Sequence, residues 1–401
     1  MRLWDKGEST DELVFTFCVG EDYILDNRLV PYDVQASQAH VRMLAAQGYL
    51  APADAEALCG SLAELGEAHA RGEWVVELAD EDCHTALERH LTERLGEAGK
   101  RVHLGRSRND QVLTALRLYL REALATAADQ AASVAEALDE LAAANPEQQM
   151  PGYTHMQRAM PSSVSEWAGA FASEIRDDAE GLRAAQRRAG KNPLGSAAGY
   201  GTPGVNLDRE QTTQALGFAE TQWPHAAAQL SRGKAEAEAV FALTLLAQDY
   251  GRLAADLCLF ATSEFAFVRL PAAFTTGSSI MPQKRNPDVF ELLRAKSVGV
   301  AAQLGHILAI THKMTSGYHR DLQEIKAPLF RAFDEVAGMS AVLARAVPGI
   351  EFDSARLQAA MDPGLYAAER ANRYVTEEGM SFRDAYRRVA EELAAEANSQ
   401  G

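Results

Sequence analysis

Cysteine is scarce in this chain, and the four that occur are scattered. Cys18, Cys59, Cys83 and Cys258 have neither the paired spacing of a metal site nor the density of a disulfide-stapled fold, so four free thiols are expected. Long apolar runs are also missing: no uninterrupted stretch approaches the ~20 residues that a membrane span requires. Met1 to Glu12 is polar and charged, unlike a secretory signal, which makes the cytoplasm the expected compartment. Positive charge is in deficit, with 39 Lys and Arg against 56 Asp and Glu and a formal net charge of −17. Nucleic acid and anionic membrane would both be repelled, so neither is an expected partner. Convincing period-two alternation is absent throughout, as is any internal repeat, and this argues against a β fold.

What is present is helical apolar spacing. At 401 residues and 47% apolar content the chain can bury the cores of two or three domains. Leu113, Leu116, Leu120, Leu124, Ala127 and Ala131 recur at three- and four-residue steps after Gly105, predicting a long helix that Pro146 and Pro151 end. A second helix is expected from Pro161 to Arg188, a third from Gln229 to Thr262 and a fourth from Pro287 to Lys313. Three of these run about 30 residues with apolar character round much of their circumference, which favours packing between subunits. The expected fold is all-α: a helical N-terminal domain over 1–108, a central long-helix bundle over 109–347 and a short helical C-terminal domain over 348–401.

The polar chemistry gathers in the breaks between helices. Thr275 to Asp288, with Gly277, Pro282 and Pro287 forbidding a continuous helix, offers the hydroxyls of Ser278 and Ser279, the Lys284 ammonium, and Asn286 as the expected N-cap before Pro287. That inventory suits a carboxylate or phosphate. Gly105-Arg106-Ser107-Arg108-Asn109-Asp110-Gln111 sets two guanidiniums beside a helix N-terminus, a second carboxylate clamp. Gly152-Tyr153-Thr154-His155-Met156-Gln157-Arg158 is a polar turn carrying the histidine whose ordinary pKa suits general-base work. Glu81 and Asp82 cap a helix, and Leu194 to Gly204 is rich in glycine without the strand or lysine of a phosphate loop. Two anion-binding turns, one histidine and a serine loop fit proton abstraction next to a carboxylate. The developing dianion would be stabilised by Lys284 and loop N–H groups.

The Gly-Ser-Ser-Ile-Met-Pro-Gln-Lys-Arg-Asn-Pro-Asp loop closely resembles the signature of the fumarase and aspartase superfamily. Together with Gly-Arg-Ser-Arg-Asn-Asp and Gly-Tyr-Thr-His-Met-Gln, it is most similar to the argininosuccinate lyase branch. The resemblance covers Glu81 to Lys326 well and the ends weakly. It implies a cofactor-free and metal-free cleavage of the small molecule argininosuccinate to arginine and fumarate, by a homotetramer with sites shared between subunits. It assigns proton abstraction to Ser278 instead of His155, pairs His155 with Glu291, and gives substrate binding to Ser107, Arg108, Asn109, Thr154, Ser279 and Asn286. Tyr318, Gln323 and Lys326 would hold the half of the substrate that does not become fumarate. Adenylosuccinate lyases and fumarases have similar serine loops, and a non-catalytic structural homologue is the reading from another class. Departures from the pattern are Leu87, Tyr200 to Val205, and Gln-Leu-Ser-Arg-Gly-Lys at 229–234 in place of the usual Ser-x-Arg-Asp.

Overall fold

The computed structural model describes residues 11–400; the stretch Met1 to Thr10, which opens the expected N-terminal domain and most of the segment read as lacking a signal, lies outside them. The principal elements are α1 (Val30–Ala46), α2 (Pro52–Ala70), α3 (Cys83–Leu95), α4 (Arg108–Ala144), β1 (Gln149–Thr154), β2 (Gln157–Ser163), α5 (Val164–Ala189), α6 (His225–Leu230), α7 (Lys234–Phe260), α8 (Asp288–Thr311), α9 (Lys326–Ala346), α10 (Ala367–Glu378) and α11 (Phe382–Gln400). The fold is all-α, as the apolar spacing implies. Among the described residues no helix is long and apolar enough to cross a membrane, and all four cysteines are free.

Of the described residues, one compact unit comprises 11–128, 180–244 and 300–334. Pro31 and Pro52 stand in the first turns of α1 and α2, where a missing N–H costs nothing. Val41, Leu44, Leu58, Leu62 and Leu65 are fully buried with Leu113, Leu116 and Leu120 of α4. Each such side chain contributes about 1.5–3 kcal/mol of burial. The turn that starts α4 is fixed by Asp110. Fully buried, it accepts N–H bonds from Ser107 at 2.9 Å, Gly195 at 2.9 Å and Ala197 at 2.8 Å, so the glycine-rich turn is close backbone packing as expected. Gly195 has φ +81°, and a Cβ there would lie 2.9 Å from the Arg209 side chain.

The other unit comprises the described residues 129–179, 245–299 and 335–400. Val134, Leu138, Ile175, Leu253, Leu257 and Leu343 are fully buried in it, and the Tyr250 and Ser340 hydroxyls meet at 3.0 Å. α10 and α11 pack over Ala371, Ala385 and Val389. β1 and β2 form an antiparallel hairpin that the sequence did not announce. Pro151 and Pro161 stand opposite each other in it, tolerated because both strands of a two-stranded ribbon are edges. Its two-residue turn is His155-Met156, with φ +51° and +62°, the mirror-type turn normally built from Asn-Gly. α5 therefore begins at Val164, three residues later than expected, because Pro161 to Ser163 belong to the strand.

Asp178 of α5 is half-buried and faces Asp249 of α7; burial first, and then the neighbouring carboxylate, push its pKa up to about 7. A carboxyl whose folded pKa stands above its unfolded 3.8 stabilises the fold below that value and loses this contribution as pH rises through 7. Asp178→Asn should leave stability nearly unchanged at pH 4. Above pH 8 it should raise it by about 1–2 kcal/mol, a figure discounted for solvent screening of a part-exposed group. Melting curves at both pH values measure this, and a lower Tm for the variant at pH 8 would refute the repulsive pair.

Candidate active site

In the first unit a buried ammonium organises the cavity. Lys326, the first residue of α9, lies 2.7 Å from Asp22 and 2.5 Å from Asp26, all three nearly inaccessible to water. Burial opposes the ammonium charge, but Asp26 and Asp22 outweigh it and hold the Lys326 pKa above its ordinary value. Burial likewise pushes the Asp22 carboxyl up to about 6, against the pull of Lys326. Arg108, at the start of α4, pairs with Asp82 at 2.5 Å and Glu81 at 3.5 Å; Asp82 also caps α3 by accepting the Thr85 N–H. His84 lies 2.9 Å from Asp33, which outweighs the burial and raises the imidazole pKa. That pairing fits a structural ion pair.

Arg108, Tyr318, Gln323 and Lys326 line one small, tightly filled cavity, so the structure brings together four of the expected residues. Ser107 and Asn109 stand half-buried in the same turn as Arg108, with the Ser107 hydroxyl accepting the Asn109 N–H at 3.3 Å. Gln323 is already engaged, its amide donating to the Cys18 and Val19 carbonyls at 3.1 Å each. The sequence reading missed other lining residues, among them Asp22, Asp26 and Arg232. The signal for the acids was their four-residue spacing, one helical turn, just before Arg28. Asp26, Cys83 and His84 also converge closely enough to surround one metal ion. The donor set does not favour one: Asp26 is neutralised by Lys326, and burial pushes the Cys83 thiol well up, against the thiolate a metal needs.

The second unit holds the remaining candidates. Thr154 and His155 sit exposed at the hairpin turn. In the serine loop, Thr276 pairs with Asn286 and Gly277 with Arg285, closing the segment between them. The Ser278 oxygen, half-buried, accepts N–H bonds from Ile280 at 3.3 Å and Met281 at 3.1 Å. Ser279 and Lys284 are exposed. The expected cap is displaced by one residue: the first bond of α8 runs from the Glu291 N–H to the Pro287 carbonyl, so Pro287 holds the cap position and Asn286 is taken up by the strand pair. Glu291 is exposed, with Arg294 at 3.9 Å as its ion partner. Among the described residues it forms no ion pair with His155.

Chemically, the second unit carries a hydroxyl under two N–H donors with a lysine on the same loop, and the first a cavity lined by both signs of charge. A family model described as lyase matches residues 8–302. An argininosuccinate lyase from Sorangium cellulosum (strain So ce56) is 48% identical over 98% of this chain and 91% of its own length. Another from Stenotrophomonas maltophilia (strain K279a) is 43% identical over 100% of this chain and 92% of its own. Among solved structures, EDDS lyase in complex with formate superposes with a TM-score of 0.82 at 25% identity, covering 98% of this chain and 78% of that one. A family match over most of the sequence, and full-length relatives this similar, establish that the chain belongs to the argininosuccinate lyase family.

Proposed function

We propose that the protein cleaves argininosuccinate reversibly to arginine and fumarate, without a cofactor and in the cytoplasm. The observation that carries the mechanism is the Ser278 hydroxyl, whose oxygen already accepts two backbone N–H bonds. Donors aimed at that oxygen stabilise its anion and lower the cost of removing its proton, which answers how a serine serves as base. Ser278 takes the proton from the carbon beside a succinyl carboxylate. The electron pair forms the double bond of fumarate while the bond to nitrogen breaks, and the nitrogen leaves, with a proton, in the guanidino group of arginine. Lys284 and the loop N–H groups offset the charge that builds on the carboxylate in between. Thr154, Ser279, Asn286, Ser107, Arg108 and Asn109 hold the substrate, and His155 acts with Glu291 on the proton transfers.

Exposure supports a shared site. His155, Ser279, Lys284 and Glu291 all face solvent in the single chain, a poor setting for chemistry that needs water excluded. α8 leaves Leu292, Val298 and Leu308 at 58, 69 and 50% exposure, and α7 leaves Phe241 and Leu245 uncovered. Apolar helix faces of this extent suit a homotetramer in which copies of these helices pack together.

Two experiments test the reading. Fumarate absorbance should appear with argininosuccinate and not with adenylosuccinate, and Ser278→Ala should lower kcat by about 10²–10⁴-fold with substrate binding kept. Near-normal turnover in that variant removes Ser278 from the role, and no fumarate at all from the unmodified protein favours a structural homologue. For the shared site, His155→Asn and Ser278→Ala proteins, each inactive, are dissociated and reassembled together. About a quarter of the sites should regain both native residues under random mixing. Verified hybrids without activity would place both residues on one chain.

A further inference from the structure

We propose that Arg232 receives the carboxylate of the substrate's amino-acid half, the half that the resemblance gives to Tyr318, Gln323 and Lys326; the inference rests on the lyase reading above. Arg232 lies in the break between α6 and α7, and the backbone there is held from two sides. Arg117, itself buried, donates to the Ser231 hydroxyl at 3.0 Å. Gly233, at φ +79°, is packed so tightly that a Cβ would meet Thr311 at 2.4 Å. The guanidinium is thereby presented to the cavity over the Tyr318 ring, 5.7 Å from its centroid.

The three cations of this cavity differ in their partners. Lys326 is matched by two carboxylates and Arg108 by two more. Arg232 is 5% exposed, its Nε and Nη1 have no hydrogen-bond partner, and among the described residues no carboxylate lies within 4 Å of it. Glu236, fully buried in the first turn of α7, is its foremost opposing charge, and both Glu236 oxygens are likewise without a hydrogen-bond partner. It favours the charged guanidinium without occupying it. A buried, incompletely bonded guanidinium is costly, and a carboxylate relieves that cost with two parallel N–H bonds. Asp22 and Asp26 together carry one negative charge more than the Lys326 ammonium between them, and that excess suits an ammonium better than a second carboxylate. An α-amino acid carries those two charges on one carbon, so the charges of its head group match Arg232, beside Tyr318, and the two aspartates on the same cavity.

The reverse reaction separates the possibilities, because the amine added to fumarate can be arginine or agmatine, which has the same guanidine and no carboxylate. With the unmodified protein arginine should be strongly preferred in kcat/KM. Arg232→Met should lower kcat/KM for arginine by about 10²-fold, mainly through KM, and for agmatine by less than about threefold, so that the preference collapses. Arg232→Lys, which keeps the charge and not the fork, should restore part of it. The ratio of the two amines is independent of how much of a variant folds. An unchanged ratio in both variants overturns the role of Arg232 and leaves the lyase reading standing; failure of the unmodified protein to add arginine to fumarate overturns that reading, and this inference with it.

Discussion

The contact on which the first unit depends is the ammonium of Lys326 between Asp22 and Asp26. An uncompensated charge at this depth would cost several kcal/mol, a large share of a domain's net stability, so the three groups are buried as a set. Lys326 and Asp26 are 300 residues apart in sequence, and their 2.5 Å contact closes the chain on itself. The other Asp26 oxygen accepts the Cys83 N–H at 3.2 Å, which adds the start of α3 to the same point. The walls of the cavity are thus set by charge balance, and the apolar core packs behind them.

Much of this architecture was legible. Leucine spacing gave α4, and Asn145-Pro146 ends it as proline predicts. The polar breaks held the candidate residues, since only irregular backbone leaves N–H groups free for a ligand. Other features had no local signature. The hairpin escaped because each of its strands contains a proline, which argues against a strand, and its turn is His155-Met156 in place of the usual Asn-Gly. The helix expected from Gln229 to Thr262 is broken at Ser231–Gly233, where Gly233 adopts φ +79°; the apolar seam that suggested it starts only at Val240, beyond the break. Asp22 and Asp26 gain their meaning from a lysine that only folding brings near. Arg232 lay in the segment that departs from the family pattern, and its burial without partners cannot be read from residue order.

The serine loop shows how little structure is needed to aim two N–H donors at one hydroxyl oxygen. Two amides from the residues two and three places on, in an ordinary hydroxyl-capped turn, are directed at the Ser278 oxygen. Backbone donors do not titrate, so they keep their direction across the pH range in which side-chain acids would lose theirs.

The chain also separates its tasks. Arg108, Tyr318, Lys326 and Arg232 belong to one compact unit, and the Ser278 loop with His155 to the other. Substitutions that reshape the cavity for a different amine leave the bonds of the serine loop as they are, and changes in the loop leave the ion pairs of the cavity intact. Under the proposed roles, natural selection can vary the nitrogen partner while inheriting the elimination chemistry unaltered, so that a new member of such a lineage starts from a working enzyme.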